Sequence, residues 1–230
     1  MTQSGSDIQK NLAHVKSFIQ ECELRYARIP NSVRLLAVSK SQPVEKILAA
    51  ISAGQYAFGE NYLQEALVKM ETLANEKIEW HFIGPIQSNK TKKIAESFSW
   101  VQSVSSFNIA KRLNDQRPEH LPPLNICLQI NTSGESSKSG AAPSAALTLA
   151  KQCLTLPRLK LRGLMTIPAP RNIFSEKRAE LNKLLLLQNE LLKNDVPLDI
   201  LSMGMSEDLE AAIAEGSTMV RVGTKIFGDR

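Results

Sequence analysis

The chain has 230 residues, 43% of them hydrophobic and 22% charged, enough to bury the core of one large α/β domain or two small ones. Its formal net charge is +5, but lysines and arginines are interleaved with acids, and the densest basic cluster, Lys90 with Lys92 and Lys93, reads as the solvated face of a helix. Nucleic acid is therefore not an expected partner, whereas small anionic ligands suit such a surface.

Cys22, Cys127 and Cys153 are odd in number and widely spaced, with no CxxC and no His/Cys cluster. That pattern predicts reduced thiols rather than a disulfide frame or a metal site. The stretch from Met1 to Ser6 carries no apolar signal-peptide core, so a cytoplasmic location is expected. The most apolar helical segment, Leu181 to Leu192, is interrupted by Lys183, Gln188, Asn189 and Glu190, well short of a membrane span.

In chain order, Ser6 or Asp7 caps a first helix whose Ile8, Leu12, Val15, Phe18 and Ile19 recur at helical spacing, and residues 6–28 form an added outer helix. Arg34 to Ser39 is a first strand ending at Lys40, and Pro43 opens a helix that Gly54 stops. The unit then recurs. Tyr56 to Phe58 is a short strand feeding Gly59-Glu60-Asn61 and a helix from Tyr62 to Leu73. Further strands are expected at 78–83, 100–104, 124–130, 159–165, 198–201 and 219–222, alternating with helices at 89–98, 106–116, 143–154 and 174–192 and one opened by Ser206. The polar stretch Asn131 to Gly140 after the fifth strand has the composition of a functional loop or of a plain surface loop.

Eight βα units with no composition break predict a single (β/α)8 barrel spanning residues 1–230, slightly below the usual length of about 250. No G-x-G-x-x-G follows the first strand, which weakens the competing doubly wound sheet. In a barrel, chemistry sits where strands end. Those ends are Lys40, Asn61, His81, Asn131, Met165-Thr166, Ser202 and Arg221. Each has a plain alternative: Asn61 as a helix cap, His81 as a satisfied strand-end histidine, Thr166 as the start of a turn.

The last two units are more specific. Ser202-Met203-Gly204-Met205-Ser206 and Arg221-Val222-Gly223-Thr224 occupy the loops after strands seven and eight, the recurrent phosphate site of barrels, where glycine allows close approach and Ser206 and Thr224 supply hydroxyls. Strand one neighbours strand eight in a closed barrel, so a phosphorylated aldehyde can span from that site to the Lys40 amine and form an imine. Pyridoxal 5'-phosphate fits that description.

AVSK at 37–40, FGEN at 58–61, WHFIGPIQSNK at 80–90, NTSGESSKSG at 131–140, GLMTIP at 163–168, LSMGMSED at 201–208 and RVGTKIFG at 221–228 occur in order along nearly the whole chain. Together they resemble the YggS/PROSC family of pyridoxal phosphate homeostasis proteins, relatives of the barrel domain of alanine racemase. The resemblance implies a pyridoxal phosphate-binding barrel of fold type III, in which Lys40 holds the cofactor as an internal aldimine. It places Ser206, Gly223 and Thr224 on the phosphate and Arg221 at the pyridine nitrogen, with Asn61, His81 and Met203 lining the pocket. A guanidinium can only donate to that nitrogen, so it disfavours the pyridinium form that makes the ring a strong electron sink.

Ser41-Gln42 and Lys225 depart from the family's usual wording without removing a contact; Lys225 could offer a second amine, though a surface lysine is the simpler reading. Two function classes follow. One is a carrier or buffer that limits free pyridoxal phosphate and delivers it to dependent enzymes, with a monomer as the expected state. The other is an amino acid racemase, which in the related enzymes needs a tyrosine from a further domain; here Tyr26, Tyr56 and Tyr62 are the only tyrosines. The carrier is the favoured expectation.

Overall fold

The computed structural model describes residues 5–135 and 139–228. Ser136 to Lys138 of the polar loop, and the outermost residues of the expected domain, lie outside them.

Eight strands close into an all-parallel barrel in sequence order. Strands β1 (Arg34–Val38), β2 (Ala57–Glu60), β3 (Glu79–Phe82) and β4 (Trp100–Val104) form one half; β5 (Leu124–Gln129), β6 (Leu159–Met165), β7 (Ile200–Ser202) and β8 (Met219–Val222) form the other. Closure is made by β1 pairing with β8 from Arg34↔Met219 to Ala37↔Val222. Helix α1 (Gly5–Arg25) precedes the barrel, and α2 (Val44–Ser52), α3 (Leu63–Thr72), α4 (Thr91–Ser97), α5 (Phe107–Gln116), α6 (Ala146–Leu154), α7 (Phe174–Lys193) and α8 (Leu209–Ala214) follow their strands. A last turn, α9 (Thr224–Phe227), follows β8 and is not among the expected elements, since four residues carry no periodic signal.

Alternation along each strand sorts side chains into two populations. Leu36, Trp100, Cys127, Met165, Ile200 and Met219 pack together inside the barrel. Ala37, Phe58, Val101, Leu128, Leu164, Leu201 and Val220 belong to the larger apolar layer between strands and helices. Parity on β1 is thus fixed: Leu36 faces in, and Val38 and Lys40 continue that face to the rim.

Helix α1 covers the outside of the barrel near the chain's end. Ile8, Leu12, Val15, Ile19 and Cys22 are buried along one stripe, a burial of about 1.5–3 kcal/mol for each large side chain before entropy is charged against it. Buried Glu23 accepts from the backbone N–H of Asn31 (2.9 Å) and of Val33 (2.8 Å), which fixes the entry into β1. The helix stops at Arg25, short of residue 28, because Ala27 turns to φ +50° and the Arg28 guanidinium caps the Ile213 and Ser217 carbonyls.

Among the described residues no helix is long and apolar enough to cross a membrane, and no cluster of His, Cys, Asp and Glu could hold a metal ion. All three cysteines are buried and free; burial pushes the Cys127 and Cys153 thiols up to about 12.

Candidate functional site

A cavity of about 450 Å³ opens at the C-terminal rim of the barrel, over the ends of β1, β2, β6, β7 and β8. That volume is of the size that encloses small ligands. Six of the eight expected site residues line it: Lys40, Asn61, Ser206, Arg221, Gly223 and Thr224.

Lys40 stands in a tight turn. The N–H of Gln42 donates to the Ser39 carbonyl (3.1 Å), and Ser41 takes φ +60°, a left-handed conformation costly for a residue with a Cβ. What holds it is a buried charge cluster behind the strand. Lys69 Nζ donates to the Ser39 carbonyl (2.7 Å), to Glu60 Oε1 (2.8 Å) and to Glu65 Oε1 (2.5 Å). Glu60 Oε1 also accepts from the Ser39 hydroxyl (2.6 Å), and Glu65 Oε1 accepts from the N–H of Ser41 (2.6 Å). Both peptides flanking Lys40 are therefore tied to α3 and the end of β2. Burial raises the Glu60 carboxyl, against the lowering effects of Lys69 and Ser39.

The opposite wall comes from the last two loops. Gly204 takes φ +98°, and a Cβ there would lie 2.5 Å from that of Ala212, so the turn requires glycine. Asp208 Oδ1 accepts from the N–H of Met205 (2.6 Å), a bond back along the chain that closes residues 205–208 into a turn ahead of the helix. Ser206, expected to open that helix, sits instead in the loop ahead of it, because α8 begins at Leu209. Among the described residues, the hydroxyls of Ser206 and Thr224 and the amides of Ser206, Glu207, Thr224 and Lys225 engage no acceptor within the chain. Gly223 lies so close to β1 that a Cβ would come within 3.1 Å of the Val38 carbonyl oxygen.

Between Lys40 and these loops stands Arg221, 3% exposed. Its Nη1 donates to Ser202 Oγ (2.8 Å) and its Nη2 to the Thr166 carbonyl (2.8 Å). Desolvation holds the guanidinium down at about 10, so it remains a cation at neutral pH.

Two expectations need correction. His81 does not line the cavity. It pairs in register with Gly59, one pleat below Asn61, and the next inward residue on its own strand, Ile83, is the one at the cavity. Its ring is fully buried, stacked on Trp100 at 5.1 Å, with Nε2 2.8 Å from Glu79 Oε1 and Nδ1 2.9 Å from Gln102 Nε2. Burial lowers its affinity for a proton, against the raising effect of Glu79. Met203 is also absent from the lining. Inward parity on β7 belongs to Ile200 and Ser202, so Met203 points into the layer beneath the helices.

Sequence reasoning passes over the segment from Ile167 to Asn172, which lines the cavity together with Lys177 and Glu180 of α7. It also passes over Glu60, Glu65 and Lys69; the Glu65/Lys69 spacing of four on α3 is the visible signal. Among the described residues no tyrosine lines the cavity: Tyr26 donates to Glu210 Oε1 (2.9 Å) on the outside, and Tyr56 and Tyr62 are exposed.

The donor set fits a phosphorylated aldehyde: an amine on one wall, unengaged hydroxyls and amides beside a close-packed glycine on the other, and a buried guanidinium between.

Comparison with known proteins gives a consistent picture. Residues 9–230 match the family described as the N-terminal domain of alanine racemase. A pyridoxal phosphate homeostasis protein from Vibrio alginolyticus is 52% identical over 229 residues, covering 98% of both chains. One from Pseudomonas aeruginosa is 53% identical over 225 residues, covering 98% of this chain and 96% of its own. The solved structure of PipY from Synechococcus elongatus with pyridoxal phosphate bound superposes with a TM-score of 0.84 at 36% identity, covering 96% of this chain and all of that one.

Proposed function

The chain belongs to the family of pyridoxal phosphate homeostasis proteins, built on the alanine racemase N-terminal domain, and from that premise we propose that its cavity binds pyridoxal 5'-phosphate as a reversible Schiff base on Lys40. The observation that carries this reading is the gathering of Lys40, Arg221 and the unengaged Ser206 and Thr224 hydroxyls around one cavity. When bound, the cofactor supplies an aldehyde that an amine can capture with loss of water and release by hydrolysis.

The chain's own residues define the rest. Ser206, Thr224 and the neighbouring amides receive the phosphate, with Gly223 allowing the approach. Arg221 faces the ring nitrogen as a donor and keeps a proton off it. Asn61 lines the wall beside Lys40. The turn at Ser39–Gln42, fixed by Glu60, Glu65 and Lys69, aims the amine.

This arrangement suits a protein of the cytoplasm that stores the cofactor and delivers it to dependent enzymes, acting as a monomer. A guanidinium at the ring nitrogen restrains carbanion chemistry, and the tyrosine that racemases of this fold employ has no counterpart among the described residues lining the cavity. The test is a visible spectrum of purified protein with cofactor added, followed by mixing with a cofactor-free dependent enzyme. An imine band that declines as the recipient gains activity is expected, and alanine should be left unracemised. No imine band, or racemisation abolished by Lys40→Ala, overturns the reading.

A further inference from the structure

A continuous line of hydrogen bonds runs through the barrel interior, from the cavity to the opposite end. Arg221 Nη1 lies 2.8 Å from Ser202 Oγ, Ser202 Oγ 2.6 Å from Gln102 Oε1, Gln102 Nε2 2.9 Å from His81 Nδ1, and His81 Nε2 2.8 Å from Glu79 Oε1. Arg34 Nη2 closes the line on the same Glu79 oxygen at 2.6 Å. Five strands contribute: β8, β7, β4, β3 and β1.

Donor and acceptor roles along this line are forced from its far end. Glu79, held ionised by its hydrogen bonds from His81 and Arg34 against the effect of burial, can only accept, so His81 Nε2 must carry the proton. Burial keeps the imidazole neutral, which leaves Nδ1 bare and in need of a donor. Gln102 must then present its NH₂ to His81 and its oxygen to Ser202. The Ser202 hydroxyl donates to that oxygen, which leaves a lone pair for the guanidinium. Every member is satisfied in one polarity only. Stacking against Trp100, itself covered by the Arg162 guanidinium at 4.9 Å, stops the His81 ring from turning to relieve a mismatch.

We infer that His81 is a positioning residue for the cofactor's ring nitrogen: it fixes the amide of Gln102, which orients Ser202, which holds Arg221 in the cavity. The inference rests on the proposed binding of pyridoxal phosphate. It assigns a role to a side chain that touches neither cofactor nor cavity. If His81 loses its acceptor, Gln102 can invert, the Ser202 hydroxyl can swing, and Arg221 retains only the Thr166 carbonyl as a fixed anchor. A less tightly held guanidinium opposes protonation of the ring less strongly. The titratable and charged groups around the line are Glu79, Arg34 and Arg162 with its partner Asp199 at the far end, and Asp208 and the buried Cys127 thiol near Arg221; none of them is altered by the test.

The experiment compares the pH midpoint of the pyridine nitrogen, read from the ¹⁵N chemical shift of protein loaded with ring-¹⁵N-labelled cofactor, in the wild type and in His81→Leu, His81→Asn and Ser202→Ala, each shown folded by circular dichroism. The asparagine of His81→Asn would present an amide oxygen close to the place of Nδ1. His81→Leu should move the midpoint to higher pH by about one unit, the order expected when a neighbouring charge is displaced, and His81→Asn should restore most of it. Ser202→Ala should give a similar shift, and the double variant His81→Leu/Ser202→Ala no more than the single ones, because both act on one line. An unshifted midpoint in folded, cofactor-bound His81→Leu overturns the inference, as does additivity in the double variant or a failure of His81→Asn to restore. If His81→Leu does not fold, Ser202→Ala decides alone: an unshifted midpoint overturns the inference. Absence of an imine band in the wild type defeats the reading of the cavity itself and takes this inference with it.

Discussion

Replacing Lys69 by methionine isolates the charge cluster that aims Lys40. The side chain is 5% exposed and that of Glu60 is fully buried, so methionine fills a similar volume but leaves a carboxylate in the interior with only the Ser39 hydroxyl as a polar partner. Three hydrogen bonds from Nζ are lost, to Ser39, Glu60 and Glu65. Removing one partner of a buried pair costs about 3–5 kcal/mol, most of it the penalty of the stranded charge. For a chain of this size that is a fall in Tm of about 6–20 °C.

The pH dependence has a definite sign. Burial already raises the Glu60 carboxyl, and without Lys69 it rises further. A group with a raised folded-state value contributes stability that is fully present below its unfolded value of about 4.3 and is lost as pH rises through the folded one. The deficit of Lys69→Met should therefore be smaller near pH 4, where only the lost bonds to Ser39 and Glu65 remain, and full at pH 8. Adding Glu60→Gln should recover much of it by removing the charge. The assay is urea unfolding of wild type, the single variant and the double variant across that range. A Lys69→Met protein as stable as wild type at pH 8, or a double variant no more stable than the single, would show that Lys69 does not neutralise a buried Glu60 charge.

Further outcomes concern the cavity and the barrel's far end. Ser206→Ala combined with Thr224→Ala should weaken retention of pyridoxal phosphate by about 2–4 kcal/mol, given about 1.5–3 kcal/mol for each charge-assisted bond less non-additivity. Equilibrium dialysis measures this, and unchanged affinity removes the phosphate from that wall. The Glu79 carboxyl is pushed up by burial but held down at about 2 by His81 and Arg34, which outweigh it. A depressed carboxylate contributes stability present above its unfolded value and lost as pH falls toward the folded one. The stability gap between wild type and Glu79→Gln should accordingly narrow between about pH 5 and pH 2; a gap constant across that window contradicts the pairing.

The barrel is legible because eight apolar segments recur with helical stretches between them, and that alternation allows few architectures. Lys40 is legible for the same reason: alternation from Leu36 carries it to the inner face at the rim. His81 and Met203 show what a sequence leaves open. Both lie at strand ends within strong motifs, but His81 is one pleat too deep, a matter of register between neighbours, and Met203 has the wrong parity on a strand only three residues long. Ser206 reads as a helix cap in sequence, and only the closure of its loop by Asp208 moves it ahead of the helix. The interior line from Arg221 to Glu79 joins five strands, so no local pattern could have announced it. Gln102 in particular looks like any polar residue of an alternating strand until the barrel closes around it.

Everything proposed for the cavity depends on Lys40 being the amine that captures the cofactor. Borohydride reduction of the pyridoxal phosphate-loaded protein, followed by proteolysis and mass spectrometry of the peptides, tests it most directly. A reduced pyridoxyl adduct is expected on the peptide carrying Lys40, with loss of both adduct and visible band in Lys40→Ala. An adduct of comparable yield on Lys69, Lys177, Lys225 or any other lysine of the wild type, with Lys40 unmodified, would contradict it.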